Sequence, residues 1–514
     1  MSPFLEALKR VPDLLAAHLL LAASAIALGL VISLPLAIWS ARRPAVARAA
    51  LGFASLVQTI PSLALLALFY PLLLSLSAAV GGGIPALGFL PSVMALTLYA
   101  VLPILRNTVT GLNGLDPAVI EAADGVGMTA WQKLLLIEAP LVSPVLMAGV
   151  RTAAVWTIGA ATLSTTVGQP SLGDMIFAGL QTQNWALVLA GCLAAAGLAL
   201  TVDALLGMVE YGIAERKRAR AVIALVVLAA GVLAALAPAM PSGRPSVTVG
   251  AKGFGEQYIL ARLIGHRLER AGYQVRYREG LGSAVVFGAL AGGDIDVYVD
   301  YSGTIFTNEM KRQDVPPRAE IVRQVGDWVQ RTHGVRLLGA LGFENAYAFA
   351  LRDDVAAKRG LRSLDDLVAQ APALKLGSDL EFLERPEWAA VQRAYPLRFR
   401  KAQAYAPTFM YRAVASGEAD VITAFSSDGR IAAQKLAVLS DPKGAIPGYD
   451  AVLLVSRARA GEARFVGALK GLVGAIPVEA MREANLLVDR DADKKSPDEA
   501  AAWLEARVNN YNKK

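Results

Sequence analysis

Apolar residues run almost unbroken through six stretches of the chain's first half, 16–40, 51–76, 87–105, 141–167, 185–209 and 221–239. Each is near the length of roughly 20 residues that a helix needs to cross a bilayer. Gly81, Gly82 and Gly83 separate the second stretch from the third, and Pro35, Pro61, Pro91, Pro103 and Pro144 fall in or beside the stretches. Helix breakers are tolerated in membrane segments when neighbouring helices satisfy the freed backbone groups. From Ser246 the pattern changes. Short apolar runs at 247–250, 275–278 and 295–300 read as strands, and amphipathic runs at 256–271 and 284–291 read as helices. Strands alternating with helices predict an α/β domain with largely parallel sheets, and about 270 residues suit two lobes rather than one.

The predicted architecture is therefore an α-helical transmembrane domain of about six spans followed by a two-lobed α/β domain. Residues 1–215 hold five spans, 216–245 the sixth span and a linker, and 246–514 the globular part. Composition fits this division. The 514 residues are 55% hydrophobic, and the charges gather after residue 240. The net charge of +7 comes without a basic stripe interleaved with aromatics, so no nucleic-acid partner is expected. Cys192 is the only cysteine, and the three histidines lie far apart, so neither an internal disulfide nor a metal site is expected. No cofactor is implied.

Lys and Arg gather on cytoplasmic loops of membrane proteins. Arg42, Arg43 and Arg48 follow the first stretch, Arg106 and Lys133 flank the third-to-fourth connection, and Arg216, Lys217, Arg218 and Arg220 precede the sixth. With six spans all three segments fall on one side, which puts them in the cytoplasm and both termini outside. Lys9 and Arg10 argue mildly the other way. The run from Glu215 through Ala237-Pro238-Ala239 has the charged and apolar regions of a secretory signal, but in mid-chain it reads as an anchor. The expected location is the plasma (inner) membrane, multi-pass, with an extracytoplasmic C-terminal domain.

Between the third and fourth stretches lies Glu121-Ala122-Ala123-Asp124-Gly125-Val126-Gly127, followed by Ile137 and Pro140. This resembles the EAA loop of ABC importer permeases: Glu-Ala-Ala, three residues, Gly, nine residues, Ile, two residues, Pro. The resemblance implies a coupling helix that docks into a groove on an ATPase. Ala122 and Ala123 would permit close approach and Gly127 a sharp turn. The runs 58–65, 102–108 and 151–159 are similar to permeases of osmoprotectant importers for glycine betaine, carnitine and choline. No P-loop (Gly, four residues, Gly-Lys-Ser/Thr) occurs in the chain. The resemblance thus implies an ABC ATPase on a separate chain as partner, and two copies of this chain per transporter, since each supplies one coupling loop.

In open α/β sheets ligands bind beyond the carboxyl ends of strands. Aromatics occupy three such places, at 296–304, 343–348 and 421–429. Aromatic faces attract cations, and a cage of them holds a quaternary ammonium group, which cannot donate hydrogen bonds. Any one of these rings could equally be core. The domain resembles the substrate-binding proteins of osmoprotectant importers, in the runs 250–257, 293–304, 345–348, 381–386 and 426–430. That resemblance implies a cage of Tyr301, Tyr347, Phe425 and Tyr449, with polar contacts from Gln257, Asn345 and Thr304. Two departures stand out: the family usually has tyrosine where Phe425 stands, and often threonine where Gly255 stands. The expected ligand is a small quaternary ammonium compound (glycine betaine, choline or carnitine). Ergothioneine, a histidine-derived betaine, is the alternative, because some fused permease–binding proteins of this kind bind it.

A membrane-anchored sensor would have no use for an ATPase dock. An extracytoplasmic enzyme would need a nucleophile with a positioned base or a metal, and Ser302, Ser426 and Ser427 have no histidine in a recognisable partner spacing. The expectation is a transporter subunit and not an enzyme.

Overall fold

The computed structural model describes residues 3–81, 83–181, 184–215, 217–236, 245–312, 314, 316–379, 381–490 and 493–511. Gly82, Arg216 and most of the expected linker, including Ala237-Pro238-Ala239, lie outside the described residues. The chain folds into two compact units, Met1–Ile176 with Ala186–Pro241 and Phe177–Trp185 with Ser242–Lys514.

The first unit is helical. Val11–Arg42, Phe89–Asn113, Trp185–Ala214 and Arg218–Leu236 are each long and apolar enough to cross a membrane, as is the Ala130–Val167 segment that contains the Ala139–Ala161 helix. The second apolar stretch differs from expectation. It is two helices, Pro44–Thr59 and Ser62–Ala79, that meet at 102°. Pro61 is the cause: its ring excludes helical geometry from the preceding residue, and Ile60 is extended at φ −75°, ψ 126°. The carbonyl freed at the break accepts the Tyr99 hydroxyl, and Gln58 Nε2 donates to the Tyr99 carbonyl at 3.3 Å. Counted as one broken span, the pair brings the total among the described residues to six. Elsewhere small residues bring the helices together. A Cβ on Gly29 would stand 3.0 Å from that of Ala100, and Ala25, Ala37, Ala153 and Ala154 are fully buried.

Among the described residues the second unit holds ten strands in two sheets. The first lobe contains β1 (Ser246–Lys252), β2 (Gln274–Leu281), β3 (Val297–Tyr301) and β4 (Arg336–Glu344). The second contains β5 (Tyr347–Arg352), β6 (Lys375–Ser378), β7 (Lys401–Ala404), β8 (Val421–Phe425) and β9 (Leu436–Val438), and β10 (Asp450–Val455) returns to the first. The orders are β2-β1-β3-β10-β4 and β7-β6-β8-β5-β9. The expected early strands are present, with the helices Gly255–Arg270 and Ser283–Gly292 between them. The sheets are mixed rather than largely parallel. β1 pairs parallel with β2 and β3, and β6 with β7 and β8, while β10 runs antiparallel to β3 and β4, and β5 to β8 and β9. The reason is the crossovers: a strand entering a lobe from the cleft points opposite to the strands that lead toward it. One apolar core carries Val247, Val249, Val297 and Val299 of the first sheet and Leu376 and Val421 of the second, all buried.

Candidate functional site

The loop between the Phe89–Asn113 and Ala139–Ala161 helices is built by local signals. Asp116 caps the Pro117–Gly125 helix by accepting from the Ala118 N–H at 2.9 Å. At the other end the Met128 N–H reaches the Ala123 carbonyl at 3.1 Å and the Gly127 N–H the Asp124 carbonyl at 3.0 Å. That pair of bonds is a Schellman cap, which needs a left-handed residue, and Gly127 supplies it at φ +78°. Thr129 and Gln132 then form a capping box, and Lys133 pairs with Asp124 at 2.6 Å. Glu121, Ala122 and Gly127 are exposed, whereas Ala123 is buried in its own chain, so of the two alanines only Ala122 is open to a partner. A Cβ on Gly127 would meet nothing within 4 Å, so its demand is conformational and no clash is involved. Val126, Trp131, Leu135 and Leu136 are 75%, 68%, 58% and 62% exposed, an apolar surface on an otherwise polar connection.

In the second unit one cavity of about 250 Å³ opens between the two sheets. Tyr301, Thr304, Asn345, Tyr347, Phe425 and Tyr449 all line it. They stand where strands meet the cleft: Tyr301 closes β3, Phe425 closes β8, Tyr347 opens β5, and Tyr449 precedes β10. Tyr347 and Phe425 are cross-strand partners with ring centroids 5.2 Å apart, and Tyr449 meets Tyr347 edge-on at 6.0 Å.

Gln257 and Gly255 are not among the lining residues. Gln257 sits behind the wall and donates to the Tyr301 hydroxyl at 3.1 Å. Gly255 faces away, and a Cβ there would stand 3.3 Å from Asp489 Oδ1, so a threonine hydroxyl at this position would meet Asp489 rather than the cavity. Behind Tyr301 lies Glu256, which accepts from the Tyr301 hydroxyl, from Asn345 Nδ2 at 3.1 Å and from Asn485 Nδ2 at 2.8 Å. Burial pushes its carboxyl up, although these donors oppose the shift.

Beyond the expected residues the lining includes Phe254, Lys252, Arg385 and Asp379. Phe254, just after β1, lies nearly parallel to Phe425 at 6.5 Å and to Tyr301 at 6.3 Å. The rule that singled out the other rings, position after a strand, applies to it equally. Lys252 pairs with Asp300 and lies 5.3 Å from the Tyr301 ring centre. Arg385 lies 5.4 Å from the Tyr347 ring centre and donates to Glu387 at 2.9 and 3.2 Å and to Glu381 at 3.2 Å. Asp379 accepts from the backbone N–H groups of Glu381 and Phe382 at 2.7 and 2.9 Å, and burial raises its carboxyl above the ordinary value. The cavity thus joins a wall of aromatic faces to a rim of opposite charges. Glu387 also ties the lobes together, since it accepts from Tyr449 and, at 3.0 Å, from Thr307, both on the first-lobe side. Burial raises Glu387, but the Arg385 charge and these donors outweigh it and hold the carboxyl below its ordinary value.

One pH effect follows from the neighbourhood of Gly255. Burial raises Asp489 from 3.8 to about 6, against the pull of the Arg430 guanidinium and with the push of Asp428. The folded chain therefore holds this proton more tightly than the unfolded chain. The stability it contributes is complete at low pH and is lost as pH rises through about 6. Asp489→Asn is expected to remove that loss. The melting temperature of the wild type relative to Asp489→Asn, measured from pH 4 to pH 7, should fall. A difference that is flat across the range would show that Asp489 does not hold the proton.

Comparison with known proteins places both units. Residues 245–506 match the family model described as the substrate binding domain of ABC-type glycine betaine transport systems. Residues 33–218 match that of the inner membrane component of binding-protein-dependent transport systems. The chain is 27% identical over 419 residues to the ergothioneine transport permease/ergothioneine binding protein of Helicobacter pylori, covering 78% of this chain and 73% of that one. It is 39% identical over 193 residues to a glycine betaine/carnitine/choline transport system permease of Bacillus subtilis, covering 38% of this chain and 83% of the permease. A crystal structure of a glycine betaine/carnitine/choline ABC transporter aligns at 23% identity and a TM-score of 0.45, over 52% of this chain and 99% of that one.

Proposed function

The chain belongs to the family of substrate-binding domains of ABC-type glycine betaine transport systems, fused here to a binding-protein-dependent permease, and from that premise we propose that it imports a small quaternary ammonium compound. The observation that carries this reading is the convergence of Tyr301, Tyr347, Phe425 and Tyr449 on one cavity with Arg385 at its rim. A quaternary head is a fixed charge that cannot lose a proton, so burying it requires compensation. Ring faces supply that without demanding a hydrogen. Each contributes roughly 0.5–2 kcal/mol, so three or four support micromolar binding, on the order of 8 kcal/mol. Arg385 donates to Glu381 and Glu387 and also meets the Tyr449 hydroxyl, and its guanidinium at the rim is the contact for the carboxylate of those candidates that carry one. Asn345 and Thr304 are the polar contacts for the rest of the ligand, and Gln257 acts by orienting Tyr301.

Within this class glycine betaine, carnitine and choline are the first candidates. Ergothioneine is the second reading, favoured by a specific observation: the Helicobacter pylori relative named for it aligns across both the permease and the binding domain. The test is a thermal-shift or calorimetric screen of these four compounds. Stabilisation by one or more supports the cage. If none of the four acts and a sugar or an ordinary amino acid does, the rings are core.

The ATPase is on a separate chain and docks on the 117–138 loop through Val126, Trp131, Leu135 and Leu136. Two copies of the present chain meet two ATPase subunits; a purified complex with one copy per ATPase dimer would refute this. The loop faces the cytoplasm and the α/β domain the outside. The bent Pro44–Thr59 and Ser62–Ala79 pair must then cross the membrane, because only six crossings put all the Lys/Arg-rich loops on one side.

Gly127→Val is expected to uncouple this dock. A β-branched residue held at φ +78° costs about 1–3 kcal/mol and is relieved by undoing the helix cap. Ligand-stimulated ATP hydrolysis should fall at least roughly fivefold, the equivalent of about 1 kcal/mol, while ligand affinity is unchanged. Normal stimulation in this variant would count against the loop's role.

A further inference from the structure

The three tyrosines of the cavity wall share a feature that their ring faces do not explain. Each gives its hydroxyl to a buried carboxylate: Tyr301 to Glu256, Tyr449 to Glu387 and Tyr347 to Asp379. Two of these carboxylates already have a cation. Arg385 pairs with Glu387 at 2.9 Å, and its charge also acts on Asp379. Glu256 differs. Its hydrogen-bond partners are neutral: the Tyr301 hydroxyl, Asn345 Nδ2 at 3.1 Å and Asn485 Nδ2 at 2.8 Å. Among the described residues no Lys or Arg forms an ion pair with it. The cations around it are engaged elsewhere. Lys252, over the Tyr301 ring, pairs with Asp300, and Arg430 pairs with Asp428 at 2.6 Å and with Asp489 at 3.4 Å.

The surrounding bonds fix where the Tyr301 proton goes. Gln257 Oε1 accepts from the Lys252 N–H at 3.4 Å, which turns Gln257 Nε2 toward the Tyr301 oxygen as a donor at 3.1 Å. That oxygen is an acceptor on this side, so its proton is directed to Glu256. Asn485 is fixed in the same manner, because its Nδ2 also donates to the Ser427 carbonyl at 3.0 Å. Glu256 is buried in the first turn of the Gly255–Arg270 helix. Burial disfavours its charge, whereas three donors and the positive end of the helix favour it. A phenol that donates to a carboxylate is polarised toward phenolate, which enriches its ring in electrons. Glu256 itself does not line the cavity, but Tyr301 does. The face that meets the ligand is therefore the face that this carboxylate makes more negative, and a cation is held by the negative face.

We infer that Glu256 is a positioning and specificity-determining residue of the cage: without touching the ligand, it supplies through the Tyr301 hydroxyl the counter-charge that makes the site select a permanent cation over a neutral group of the same shape. This deepens the quaternary ammonium reading given above and rests on it. A tert-butyl group has the size and shape of a trimethylammonium group and no charge. Ring surfaces bury both, but only the cation gains from the carboxylate behind the ring. The other two tyrosines do not serve in the same way. Arg385 pairs with the Glu387 carboxylate behind Tyr449 and lies 5.4 Å from the centre of the Tyr347 ring, so its charge offsets the acids there.

The test uses the full chain and titration calorimetry. Choline, glycine betaine, carnitine and ergothioneine are each measured beside a carbon isostere, in which tert-butyl replaces trimethylammonium. For every compound that binds, the readout is the ratio of the isostere's Kd to that of the ammonium compound. Losses of packing or folding weaken both ligands and cancel from this ratio. The wild type is expected to prefer the ammonium compound at least about a hundredfold. Glu256→Gln, which keeps the side chain's size and an oxygen for the Tyr301 hydroxyl, should cut the ratio at least about tenfold. Tyr301→Phe keeps the ring face and severs the same bond from the cavity side. It should cut the ratio as well, and it decides the matter alone where Glu256→Gln does not fold. The double variant should stay within about twofold of Tyr301→Phe, because the two residues act as one unit. An unchanged ratio in either single variant overturns the inference, even where both ligands bind more weakly. A double variant that loses the product of the two single losses overturns it too, since Glu256 would then act without Tyr301. If no ammonium compound binds the wild type, the ligand reading itself falls, a result distinct from a ratio that does not move.

Discussion

Replacing Tyr347 with leucine is expected to weaken binding of the ammonium ligand at least tenfold, about 1.4 kcal/mol, while the loss of its hydroxyl from buried Asp379 costs about 1–3 kcal/mol of stability. Tyr347 opens β5, is 9% exposed, and meets Phe382, Phe425 and Tyr449 at ring-centre distances of 4.7, 5.2 and 6.0 Å. Leucine fills much of the same space and has no negative ring face. Tyr347→Ala should lose as much affinity but is the poorer test. The ring heads a stack that continues through Phe382 to Trp388, and truncation there leaves a cavity worth about 3–5 kcal/mol of stability. Tyr301→Phe is confounded in a different way. Its hydroxyl donates to buried Glu256, and removing one donor from a buried carboxylate costs about 1–3 kcal/mol whatever happens to the ligand. Phe425→Tyr should be tolerated, since the ring face stays and Phe425 is only partly buried. Titration calorimetry beside thermal melting separates these cases. Wild-type affinity in a well-folded Tyr347→Leu protein would remove Tyr347 from the cage.

Arg385→Met is expected to produce the largest loss of stability in the α/β domain. The Glu387 side chain is fully buried and that of Arg385 is 8% exposed. Deleting one partner of a buried pair strands the other, at a cost of about 3–5 kcal/mol. In a domain of this size that is a melting drop of roughly 10 °C. The sign of the pH dependence is set by the depressed carboxyl of Glu387. Its charged form is favoured in the folded protein, so the pair's contribution is present above the unfolded value of 4.5 and is lost as pH falls below it. The penalty for Arg385→Met should therefore shrink in acid. The double variant Arg385→Met with Glu387→Gln should recover much of the lost stability at neutral pH, because no unpaired charge remains. If the double variant melts as low as the single one, packing rather than charge explains the loss. Because Glu387 also joins Tyr449 and Thr307 across the cleft, both variants should bind ligand more weakly than their melting alone would suggest.

Features that depend on a few neighbouring residues were legible in the chain itself. Long apolar runs marked the spanning helices, because the bilayer sets their length. The conformation of the 117–138 loop was readable because its caps are local: Asp116, Gly127 and Thr129 each satisfy backbone groups within a few residues. The early strands and helices of the α/β domain followed from short-range periodicity, and the aromatics at strand ends from the rule that ligands bind there. What the tertiary structure alone decided involves groups far apart in sequence. The 102° bend at Pro61 is completed by Tyr99, on another helix. The antiparallel strands β5 and β10 come from the chain crossing between lobes, which local pattern does not encode. The same crossovers bring Arg385 and Glu387 against Tyr347 and Tyr449, and turn Gln257 and Gly255 away from the cavity. Arg151 of the Ala139–Ala161 helix pairs with Asp203 of the Trp185–Ala214 helix at 3.0 Å, a partner on another helix that no local pattern encodes.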